Sequence, residues 1–137
     1  HVPLIIYAPG VIDEPRVIEK PASLVDLMPT ALGLVGLPYE NRTLGRDLLE
    51  WDKPGYALTF GGDRGDNPLL GLLGDQYLLT MHHDGDNTRL YPLADPSKQN
   101  EVSAARPGIT EQRKKLLQGL YQSARYMMYN NRNDVED

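Results

Sequence analysis

The chain has no cysteine, so it can form neither a disulfide nor a thiolate metal site. It also lacks a long apolar run. The longest, around Leu4 to Ala8, falls far short of the ~20 residues that a membrane-spanning helix needs. An excess of positive charge is missing as well: 14 Lys and Arg stand against 19 Asp and Glu, a net −5. That disfavours nucleic acid as a partner, since binding it takes a concentrated basic surface. There is no internal repeat and no low-complexity tract. What remains is 40% hydrophobic and 24% charged, the balance of a folded soluble chain rather than a disordered one. Its 137 residues make one domain or a large piece of one. The chain opens on His1 rather than Met, and an excised or processed piece is the expectation.

Periodicity predicts an α/β, or fragmentary α+β, order of elements. Val2 to Ala8 (VPLIIYA) is apolar on both parities and closed by Pro9-Gly10, as a strand buried on both faces would be. Val17 and Ile18 are candidates for a very short strand. In Ser23 to Gly36, the residues Leu24, Leu27, Ala31, Leu34 and Val35 fall near helical spacing. Asp26 is placed to cap the helix, Pro29 sits in its first turn, and Gly36 stops it. From Tyr56 the pattern shortens. Strands are predicted at Tyr56–Phe60, Leu69–Leu73, Gln76–Met81 and Thr88–Leu93, separated by turn-forming stretches, which reads as a small antiparallel sheet. Thr110 to Asn130 carries an apolar stripe of Leu117, Leu120, Tyr121, Ala124, Met127 and Met128, and predicts a helix closing over that sheet. Three regions follow: a strand–helix unit at 1–50, an antiparallel subdomain at 51–108, and a C-terminal amphipathic helix with a frayed tail at 109–137.

The residues alone supply few candidates for chemistry. His82-His83-Asp84 is the only local cluster with metal-ligand character. Neighbouring side chains on a strand point to opposite faces, and a zinc site needs three or four convergent ligands. Asp63, Asp66, Asp84 and Asp86 lie in glycine-rich loops, but no glutamate follows at the spacing that closes a calcium loop. Turn chemistry accounts for them. No serine lies in a G-x-S-x-G setting, and Gly61-Gly62 precedes no helix, so neither a nucleophile elbow nor a phosphate loop is present. Asn41-Arg42-Thr43 matches a glycosylation sequon, a pattern frequent by chance.

Three stretches together resemble the C-terminal part of the sulfatase-like enzymes of the alkaline phosphatase superfamily. VPLIIYAPG (Val2 to Gly10) is similar to that family's late core strand. SLVDLMPTALGLVGLP (Ser23 to Pro38) is similar to its S-x-x-D-[LI]-x-P-T helix motif, and continues into Leu44-Gly45-Arg46-Asp47-Leu48-Leu49. GDQYLL (Gly74 to Leu79), followed by RLYPLADPSKQNEV (Arg89 to Val102), is similar to the family's closing strand and its LYDL-type ending. Pro92 replaces an aspartate there, and Gln76-Tyr77-Leu78 lacks the usual lysine. The long final helix leans towards the lipoteichoic acid synthase-like, or phosphoglycerol transferase, branch.

The resemblance implies a strand–helix unit from a large sulfatase-type sheet, followed by the small sheet and a closing helix. It implies that the intact enzyme acts on sulfate or phosphate esters with a divalent metal (Mn, Ca or Mg) and a nucleophile, all encoded upstream. No catalytic residue or metal ligand is carried onto this chain, and no cofactor is expected in it. The expected partners are the upstream catalytic part and the ester substrate, with self-association through an exposed apolar face. The branch implies an extracytoplasmic location and membrane attachment through N-terminal helices. Arg64, in the Gly61 to Pro68 loop, is the candidate for touching an anionic substrate, because a guanidinium suits phosphate or sulfate. His1 is the second substrate candidate. The competing expectations are a non-enzymatic cell-envelope module binding an anionic polymer or a partner, and a small hydrolase built on His82, His83 and Asp84.

Overall fold

The computed structural model describes residues 3–50, 52–61, 66–95, 97 and 99–130. The chain is an α+β mixture of one four-stranded antiparallel sheet and two helices. A 3₁₀ turn at Leu24–Asp26 runs into α1, Leu27–Val35. The strands are β1 (Tyr56–Gly61), β2 (Leu69–Gly74), β3 (Tyr77–His82) and β4 (Arg89–Pro92), in the order β1-β2-β3-β4. α2 spans Pro107–Asn130.

Each strand lies within a residue or two of its predicted place, because alternation and turn residues are local signals. The register pairs Leu58 with Leu72, Leu72 with Leu79, and Leu79 with Leu90, a leucine row across all four strands. Leu70 and Met81 pair one step along on the same face. Onto this face α2 presses Leu117, and Leu70, Leu72, Leu79, Met81, Leu90 and Leu117 form the buried core. Fully burying such a side chain is worth about 1.5–3 kcal/mol, so the sheet–helix contact holds most of this half together. α2 begins at Pro107, three residues before the predicted start, where a proline's missing N–H costs nothing. Leu120, Tyr121, Ala124 and Met127 are half-buried as the stripe requires, whereas Met128 faces solvent.

The first 50 residues depart from expectation. Pro3 to Ala8 pair with no strand, and Val17–Ile18 form none. The strand predicted at Val2–Ala8 is therefore corrected for residues 3–8; Val2 lies outside the described residues. The reason is physical: a strand is stable only with a neighbour to take its backbone bonds, and none of the described residues supplies one. Leu4, Ile5 and Tyr7 stand in solvent, Ile5 84% and Tyr7 88% exposed, while Ile6 and Ala8 are half-buried.

α1 ends where the sequence places it, with Gly36 left-handed at φ 70°. Its faces are reversed, however. The buried residues around it are Asp26, Pro29 and Thr30, while Leu24, Leu27, Met28 and Val35 are exposed. No helix among the described residues is long and apolar enough to cross a membrane.

Candidate functional site

A buried polar constellation is centred on Asp26. It sits in an otherwise apolar run, and burying a charge is costly without a partner. Arg46 is that partner, twenty residues on. The Asp26 side chain is fully buried and Arg46 is 5% exposed. Arg46 Nε donates to Asp26 Oδ1 at 3.0 Å and its Nη2 to Oδ2 at 2.8 Å, a two-point grip. The Arg46 backbone N–H donates to Oδ1 at 2.8 Å, and the Ser23 N–H donates to Oδ2 at 2.8 Å. The carboxylate thus reaches back to Ser23 and across to Arg46, and it makes no side-chain cap bond to α1. Asp26 is no helix cap in the sense the sequence predicts. The ion pair outcompetes that role.

Burial raises the Asp26 pKa. The Arg46 side-chain bonds, the Ser23 and Arg46 N–H groups and the guanidinium charge together outweigh it and hold the carboxyl below its ordinary value.

Thr30 closes the same knot. Its hydroxyl donates to the Asp26 carbonyl at 2.7 Å and accepts from the Leu48 N–H at 3.0 Å. Gly45 packs so tightly on the Val25 carbonyl that a Cβ there would overlap it. Arg46 Nη2 also donates to the Tyr56 carbonyl at 2.6 Å, and its guanidinium lies 4.1 Å from the Tyr56 ring centre. One arginine therefore ties α1, the 44–48 loop and the start of β1 together.

The sequon asparagine belongs to this loop. Asn41 Nδ2 donates to the Gly45 carbonyl at 2.7 Å, and Asn41 Oδ1 accepts from the Thr43 N–H at 3.0 Å.

A second polar cluster lies at the β3–β4 turn. His82 Nδ1 is 3.0 Å from the Asn67 carbonyl, and His83 Nδ1 is 2.7 Å from Asn67 Oδ1. Asn67 Nδ2 donates to Asp84 Oδ2 at 2.6 Å. A carbonyl only accepts, so His82 carries its hydrogen on Nδ1. A carboxylate only accepts, which fixes the Asn67 amide and gives His83 the same tautomer. Both histidines thus hold one residue, Asn67, even though sequence geometry sets them on opposite faces. His83 lies just past the end of β3, where strand alternation no longer applies. Its ring also meets Tyr121 of α2 edge-on at 6.1 Å. The Asp86 N–H, and after it the Asn67 amide and the two imidazoles, hold the Asp84 carboxyl below its ordinary value despite some desolvation.

Among the described residues, no three histidine, aspartate or glutamate side chains come together as a metal site. For the divalent metal that the family resemblance implies, the described residues offer no donor set. Arg64, His1 and Asp63 lie outside the described residues. A cleft of about 470 Å³ opens between residues 11–16, Gly33–Leu34 and residues 47–50, with Arg16 donating to the Leu49 carbonyl across it at 3.3 Å.

The sequence reading missed Arg46, Thr30 and Asn67. The signal for the first was an aspartate in an apolar helix motif with an arginine in the following Gly-rich loop. Nothing local marked Asn67.

No protein-family model matches the chain, and a search of curated proteins finds no match to it.

Proposed function

We propose that this chain is the C-terminal, cleft-lining part of a metal-dependent sulfatase or phosphoglycerol transferase. It is inactive alone and works by completing and supporting a catalytic part encoded upstream. One observation carries this reading. Of the three stretches that give the chain its resemblance to that family, the second builds the Asp26 knot: Ser23, Asp26, Thr30, Gly45 and Arg46 meet in space. Such a knot fixes a helix and a loop, which is scaffolding rather than catalysis.

The reversed faces of α1 and the unpaired 3–8 segment support the same reading. Leu4, Ile5, Tyr7, Leu24, Leu27, Met28 and Val35 form apolar surface that a further layer would bury. That layer belongs to the upstream part, where residues 3–8 complete a sheet. The substrate class is a sulfate or phosphate ester. Arg64 is the residue of this chain proposed to contact it, because a guanidinium suits a phosphate or sulfate group. The location is extracytoplasmic.

Turnover of an aryl sulfate and of a phosphodiester, with Mn²⁺ or Ca²⁺, tests the proposal. The isolated chain should give none, and the protein as its gene encodes it should give metal-dependent turnover that Arg64→Ala lowers. Turnover by the isolated chain that His83→Ala abolishes would replace this reading with a self-contained hydrolase. A gene product inert on both esters would leave the cell-envelope binding module as the better reading.

A further inference from the structure

We draw no further inference here: the strongest candidate, the cleft between residues 11–16, Gly33–Leu34 and residues 47–50, is lined by the carboxylates of Asp13, Glu14, Asp47 and Glu50, an acidic cluster for which no second observation among the described residues says what ligand it would take.

Discussion

Asp26 and Arg46 show how one buried pair organises a segment that has little apolar core of its own. Removing one member strands the other charge in the interior, which costs about 3–5 kcal/mol. Arg46→Ala should therefore lower stability by that order in urea unfolding. The pH dependence has a definite sign. The folded Asp26 carboxyl sits below its ordinary value of 3.8, so its contribution is present in full well above that pH. It declines as pH falls through 3.8 towards the lower folded value. Asp26→Asn should flatten that acid limb. Two glycines make a paired test. Gly45→Ala meets the Val25 backbone, which cannot step aside, and should cost about 1–3 kcal/mol. Gly33→Ala meets only the Asp47 carboxylate, a side chain that can rotate away, so its cost should be smaller.

The elements divide into those whose cause is local and those whose cause is distant. β2 and β3 were legible because Leu70, Leu72, Leu79 and Met81 alternate about a two-residue turn. α2 was legible because its stripe repeats at helical spacing. Gly36 was legible as a stop because few other residues adopt φ 70°. The 3–8 segment was not: an apolar run states that a strand is wanted, not that a neighbour exists. The direction of α1 was not legible either. Its apolar stripe predicts the buried face, but Asp26 and Thr30 hold the opposite one inward. The Asn67 clamp was hidden because it joins a loop to a turn some fifteen residues away in sequence. These differences carry a mutational signature. Leu117→Ala, in the filled core, should cost about 2–5 kcal/mol by thermal or urea unfolding. Val35→Ala and Leu27→Ala, on the exposed face of α1, should change the stability of the isolated chain by no more than about 0.5 kcal/mol.

At the scale of the whole molecule, the chain joins a well-packed sheet-and-helix unit to a region held by polar contacts and apolar on the outside. The first unit accounts for its own stability. In the second, Leu4, Ile5, Tyr7 and the outer face of α1 are exposed, and the proposed reading covers them with a further layer. Amide exchange, compared between this chain alone and the longer gene product that the proposed reading requires, tests that covering. A covering layer predicts that amides of residues 4–8 exchange as freely as an unfolded peptide in the isolated chain and at least a hundredfold more slowly in the gene product. Equally rapid exchange of that segment in both would contradict it.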